Sequence, residues 1–287
     1  MDPISRRRFL KHAAGAAIGG AVVSAAPFLL GKTQRLPLGI QLYTVRDLMA
    51  KDLYGTLRDV AAAGFQEVEA AGYFGRTAAQ FKQAVEVQGL RCVSAHHSLA
   101  DLLAKQDELI QYGHELGIKY LICAAPRAKD PSSKTLTLDD WKWDFEQFNK
   151  IGEKTRAAGI QFGYHNHVGE FKTLDGVLVY DELLRQTDAK LVTMEMDCGW
   201  VVVAGFQPVE YLKKYPNRYT LLHVKDVVMK PGSEPRSTEL GRGSVDYAPI
   251  FAAAKHVQHY FYEQEEFDMP PVEAIRISVA YLKESGF

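Results

Sequence analysis

From Leu36 onward the chain alternates between two kinds of segment. Short apolar runs rich in β-branched and aromatic residues are each followed by a longer run with helical periodicity. The predicted strands are Leu38–Val45, Glu67–Ala70, Arg91–Ala95, Tyr120–Ala124, Ile160–His165, Leu191–Asp197, Tyr219–Val224 and His259–Glu263. The predicted helices are Leu53–Ala63, Ala78–Gln88, Leu99–Leu116, Asp140–Ala158, Val177–Gln186, Pro208–Lys214, Tyr247–Lys255 and Pro271–Ser285. Gly64, Gly89, Gly117 and Gly159 stand where a helix gives way to a strand, as left-handed helix ends require. Strict alternation of right-handed strand–helix units predicts an α/β fold, a closed (β/α)8 TIM barrel over residues 32–287. A doubly wound open sheet is the alternative, and no GxGxxG follows the first strand to support its dinucleotide-binding form. The Pro-, Gly- and charge-rich stretch Lys230–Gly243 reads as a long loop at the site.

The N-terminus follows another pattern. Ser5-Arg6-Arg7-Arg8-Phe9-Leu10-Lys11 precedes an Ala/Gly-rich apolar stretch from Ala13 to Leu30. This resembles a twin-arginine export signal over residues 1–31, with Val23-Ser24-Ala25 as a cleavage site. It implies export of a folded protein to the periplasm or beyond, with no stable membrane anchor afterwards. A net charge of −1 over 287 residues gives no support for nucleic-acid binding. Cys92, Cys123 and Cys198 lie in or at the ends of apolar runs without CxxC spacing, which suits buried reduced thiols.

Chemistry collects at the strand ends of the second half. His165, Asp197 and Glu263 each close a predicted strand and His223 stands next to the end of one, and together they offer the carboxylate and imidazole mixture of an open divalent-cation site. A lone histidine or carboxylate there is more often a hydrogen-bonded residue or a helix cap. Four on consecutive strands point to a site. Period-two alternation puts Glu195 on the face of Asp197, and Glu265 on that of Glu263; the residue nearer the mouth or the strand is preferred in each case. Glu69 and His96 end the second and third strands and are candidates for proton transfer. Lys225 shares the face of His223 and suits a developing enolate oxygen. His167 and Trp200 are candidates for sugar contacts, and Arg242, within Gly241-Arg242-Gly243, for a weak phosphate cradle.

Taken in order, Tyr164-His165-Asn166-His167, Asp197-Cys198-Gly199-Trp200, His223-Val224-Lys225-Asp226, Gly241-Arg242-Gly243 and Glu263-Gln264-Glu265 resemble the sugar phosphate isomerase/epimerase family of xylose isomerase-like barrels. The resemblance covers Leu36 to the C-terminus. It implies one divalent ion, manganese first with magnesium, cobalt or zinc as alternatives, held by His165, Asp197, His223 and Glu263. It also implies proton removal next to a carbonyl through a metal-held enediolate, hence isomerisation or epimerisation of a keto- or hydroxy-sugar. Two departures stand out. Many epimerases carry a glutamate that also serves as a base where this chain has His165, and often a histidine where it has Trp200. The first puts two-base epimerisation in doubt. The alternatives are a keto-glycoside lyase or hydrolase, or a dehydratase of an unphosphorylated sugar derivative, favoured by export, and a non-catalytic carbohydrate-binding protein. The expected partner is a small carbohydrate; a homo-oligomer is compatible with the sequence.

Overall fold

The computed structural model describes residues 36–286. The predicted twin-arginine segment lies outside them. Eight parallel strands close a barrel in sequence order: β1 (Leu38–Gln41), β2 (Glu67–Ala70), β3 (Arg91–Ser98), β4 (Tyr120–Ala125), β5 (Gln161–His165), β6 (Val192–Asp197), β7 (Tyr219–Val224) and β8 (His259–Tyr262). The last strand pairs with the first, Tyr260 opposite Leu38. Helices fill the connections and bury their apolar faces against the outer surface of the sheet, as the alternating pattern predicts.

Local chemistry explains the element ends. The helices Leu53–Ala63 and Leu99–Leu116 stop at Gly64 and Gly117, both left-handed, with φ of 115° and 87°. Thr77 with Gln80 and Thr137 with Asp140 form capping boxes that start two other helices. The barrel interior holds an apolar plug of Val93, Tyr120, Ile122, Leu221 and Phe261. Below it the buried Glu67 takes His259 Nδ1 at 2.7 Å and Arg91 Nη2 at 2.9 Å. Glu69 and Glu195 are also wholly buried.

Four elements differ from the periodicity. The first strand ends at Gln41, because the Gln41 side chain accepts the Tyr43 amide and starts a 3-10 turn over Leu42–Val45. The third strand runs on to Ser98, which places His96 inside it. Val177–Leu178 is not helical but pairs with Thr173–Leu174 in a hairpin whose tip, Asp175-Gly176, has both φ values positive. Part of the expected loop after β7 is a second hairpin, Asp226–Val228 against Arg236–Thr238. All three cysteines are buried and free. Among the described residues no helix is long and apolar enough to cross a membrane.

Gly39 marks the tightest point of barrel closure. A Cβ there would sit 2.6 Å from the Phe261 ring and 2.7 Å from the Tyr260 carbonyl oxygen of the neighbouring strand. Backbone cannot yield cheaply, so Gly39→Ala should destabilise by about 1–3 kcal/mol through overpacking. The check is the midpoint of urea unfolding; an unshifted midpoint would show that β1 and β8 separate freely.

Candidate metal centre and active site

Strand register assembles the site. Asp197 is the partner of His223 across β6 and β7, and His223 of Phe261 across β7 and β8. His165 closes β5, and Glu263 follows β8 with its amide donating to the Val224 carbonyl. One ligand atom from each of His165, Asp197, His223 and Glu263 lies within 4.8 Å of the others, all four residues buried. Asp197 serves two ends. It caps the short helix Cys198–Val203 by accepting the Trp200 amide on Oδ1 at 2.9 Å. That leaves Oδ2 turned toward the cluster, 4.0 Å from His165 Nε2 and 3.1 Å from Lys225 Nζ. Gly199 is required behind it, since a Cβ would meet the Lys225 carbonyl oxygen at 2.7 Å.

A second layer lies one step deeper; Glu69 and His96 belong to it, and the preference for the residue nearest the mouth set aside its third member, Glu195. Glu195 Oε2 contacts His96 Nε2 at 2.5 Å, His165 Nδ1 at 3.1 Å and His223 Nε2 at 3.2 Å. Glu69 Oε1 contacts His223 Nε2 at 2.7 Å and His96 Nε2 at 3.0 Å, and accepts from Gln41 Nε2 at 2.8 Å. His96, His165, Glu195 and His223 thus form a second convergent group. Glu195 Oε2 is engaged by three imidazoles, while Glu195 Oε1, Glu69 Oε2 and Asp197 Oδ2 make no hydrogen bond, and of these residues Asp197 stands nearest the end of its strand. His165 and His223 each turn one ring nitrogen to the group that includes Asp197 and the other to a buried glutamate. Such outer carboxylates fix the ring orientation of a ligand histidine. Glu195→Gln should therefore weaken cation affinity by about 10–100-fold without removing a ligand. Competition with a fluorescent chelator measures it, and an unchanged constant would make Glu195 a bystander.

Charge follows from the same contacts. Burial alone would keep His96 neutral, yet Glu69 and Glu195 outweigh it and push its pKa up to about 9. His223 is raised against burial by Glu195 and Glu263. His165 goes the other way: burial and the positive His223 hold it neutral. Lys225 is buried with Nζ 3.1 Å from Asp197 Oδ2, 3.1 Å from Glu263 Oε2 and 2.5 Å from Glu265 Oε1, and 4.8 Å from the centre of the Trp200 ring. Burial opposes its charge, but Asp197 and Glu263 hold it strongly protonated. Glu263 is lowered below the usual carboxylate range, Lys225 outweighing burial.

A cavity of about 350 Å3 opens over these groups, walled on this side by His96, His165, His167, Glu263 and Glu265. Residues 57–285 match the family described as xylose isomerase-like TIM barrel. The chain belongs to that family. It is 27% identical over 227 residues to an inosose dehydratase of Clostridium botulinum, covering 68% of this chain and 75% of that protein. A sugar phosphate isomerase/epimerase from Parabacteroides distasonis superposes with a TM-score of 0.74 at 28% identity, covering 89% of this chain and 96% of that one. The zinc-bound IOLI protein shares the fold, with a TM-score of 0.67 at 11% identity over 87% of this chain and 98% of that one.

Within this xylose isomerase-like barrel the donor set suits a divalent ion. Five carboxylates (Glu69, Glu195, Asp197, Glu263 and Glu265) face one lysine and the two histidines of raised pKa, His96 and His223. Burial and Glu263 push the Asp197 carboxyl up against the pull of Lys225, 3.1 Å from its Oδ2. A divalent cation at that oxygen would favour the ionised form.

The other predicted residues divide. His167 lines the cavity, its amide donating to Glu170 Oε2, and burial with Lys225 lowers its pKa to about 4. Trp200 packs beside it, ring centroids 6.0 Å apart, and lies over Lys225 rather than in the cavity wall. Glu69 touches Gln41, His96 and His223 and does not reach the cavity. Arg242 stands apart from the cavity, exposed, with Nη1 3.4 Å from Glu239 Oε2. The amides of Gly241 and Gly243 donate to Asp226 Oδ2, both at 2.9 Å, so the expected phosphate cradle is filled by a carboxylate of the chain itself. His97 and Tyr43 were missed and both line the cavity.

Proposed function

We propose that this barrel is a divalent-cation-dependent dehydratase or lyase of an unphosphorylated keto-sugar or keto-polyol. The observation that carries this reading is His165. Where the family resemblance puts a second base, the chain has a neutral imidazole with Nδ1 3.1 Å from Glu195 Oε2. The carboxylates left at the cavity, Glu263 and Glu265, both follow the same strand, β8, which suits one-way elimination better than return of a proton to the opposite face. The inosose dehydratase relatives support the same choice. So does the Gly241–Gly243 turn, which has no free amides at Gly241 or Gly243 for a phosphate.

His165, Asp197, His223 and Glu263 would hold the cation; manganese and the other divalent ions all accept such a set. When bound, it would polarise the substrate carbonyl as a Lewis acid. Glu263, ionised beside Lys225, takes the proton from the carbon next to the carbonyl. Lys225 donates to the oxygen on which charge develops. His96, protonated at neutral pH between Glu69 and Glu195, gives its proton to the leaving oxygen. Burial of the whole cluster keeps bulk water from competing. Export by the twin-arginine route to the periplasm or outside the cell belongs to this proposal, since it favours unphosphorylated substrates.

The test is incubation of manganese-loaded protein with a keto-inositol and a 3-keto-glucoside in heavy water. Loss of the β-oxygen, with solvent deuterium entering only as the enol product becomes a ketone, is the expected result. Epimer formation without that loss would replace elimination by epimerisation. Ligand binding with no exchange would mark a carbohydrate-binding protein.

A further inference from the structure

The wall of the cavity has two unlike halves. Opposite the ion cluster, Tyr43, Ala71, His97, Ser98, Ala124 and Ala125 line it. These residues follow or close β1 to β4, none of which supplies a residue of the four-ligand set. Three of the six are alanines at strand mouths where β5 to β8 carry imidazole and carboxylate, so this half has room. Tyr43 is 42% exposed. The Arg46 guanidinium lies 4.1 Å from its ring centre and donates to the carbonyls of Tyr43 and Glu265, which fixes the ring at the rim. His97 is fixed as well, with Nε2 3.0 Å from the Tyr73 hydroxyl and Tyr73 stacked on Tyr112. Its Nδ1 has no partner among the described residues.

We propose that this half is a second subsite for a flat six-membered ring attached through the leaving oxygen, so that the substrate is a glycoside and not a free sugar. An aromatic face packs against ring C–H groups or another π-face, and a free imidazole nitrogen takes one hydroxyl. The proposal rests on the elimination reading. Glu263 removes the proton next to the carbonyl, a carbon–carbon double bond forms, and the glycosidic C–O bond breaks. The departing oxygen takes a proton from His96 and leaves as an alcohol; no oxidant or reductant is needed.

The experiment is titration calorimetry of the full chain loaded with manganese, using methyl β-glucoside, phenyl β-glucoside and cellobiose. Phenyl glucoside or cellobiose should bind at least about tenfold tighter than methyl glucoside, a gain of about 1.4 kcal/mol. Cellobiose alone showing the gain assigns the subsite to a sugar, phenyl glucoside alone to an aryl group. Tyr43→Ala should shrink the ratio by removing the platform, and Ala124→Leu or Ala125→Leu by filling the floor, with thermal melts confirming that each variant is folded. Equal affinities, no binding by any of the three, or ratios unchanged in all folded variants overturn the proposal. Exchange on a free keto-sugar without the ratio defeats the subsite alone; the ratio without exchange defeats the elimination reading alone.

Discussion

His223→Ala should give a protein that retains no stoichiometric divalent cation after dialysis and catalyses no solvent exchange. His223 is the central residue of the cluster, wholly buried, with Nδ1 2.9 Å from Glu263 and Nε2 2.7 Å from Glu69. Loss of an outer-shell partner typically weakens metal binding by about 10–100-fold, and loss of a ligand should exceed that. The alanine also strips a counter-charge from Glu69, Glu195 and Glu263, so His223→Gln, which keeps the volume, separates ion loss from misfolding. Elemental analysis and circular dichroism make the two readings. Parent-like ion content in both variants would remove His223 from the site. The same contacts give a sign for pH. Glu195 and Glu263 overcome burial and raise the affinity of His223 for a proton, so proton and cation compete there, and cation affinity should fall as pH is lowered.

The barrel was legible because each strand–helix unit repeats one pattern, and the convergence of His165, Asp197, His223 and Glu263 because all four stand at or next to strand ends. What sequence reasoning lost follows from the period of two. Glu195 and Asp197 share a face, and alternation says nothing about how many layers of that face take part. Both do, since the interior above the Phe261 and Leu221 plug is polar for two levels. His97 was hidden by the strand limit set at Ala95, which left His96 as the only residue considered there. Gly241-Arg242-Gly243 misled for another reason. Glycines with free amides and glycines whose amides serve a buried carboxylate look alike in sequence, and Asp226, fifteen residues before Gly241, decides which they are. The Asp175-Gly176 hairpin carried a clear turn signal that the helical pattern beside it masked.

Lys225→Met should separate chemistry from cation binding. The ammonium and a bound cation draw on the same oxygens, Asp197 Oδ2 and Glu263 Oε2, each 3.1 Å from Nζ. Methionine keeps most of the side-chain volume beside Trp200 and removes the charge. With that competitor gone, cation affinity should stay level or rise. The rate should nevertheless fall, because the donor aimed at the developing oxyanion is lost; removing one such donor costs about 10²–10³ in kcat. Exchange rate and chelator competition, measured on the same preparation, read the two quantities independently. A fall in both would mean that Lys225 only holds Asp197 and Glu263 in place, whereas an undiminished rate would leave charge stabilisation to the cation. Lys225→Arg sharpens the distinction. It keeps the charge but not the compact ammonium that fits between three carboxylates, so partial cation loss with partial activity is expected of it, a pattern the methionine variant should not show.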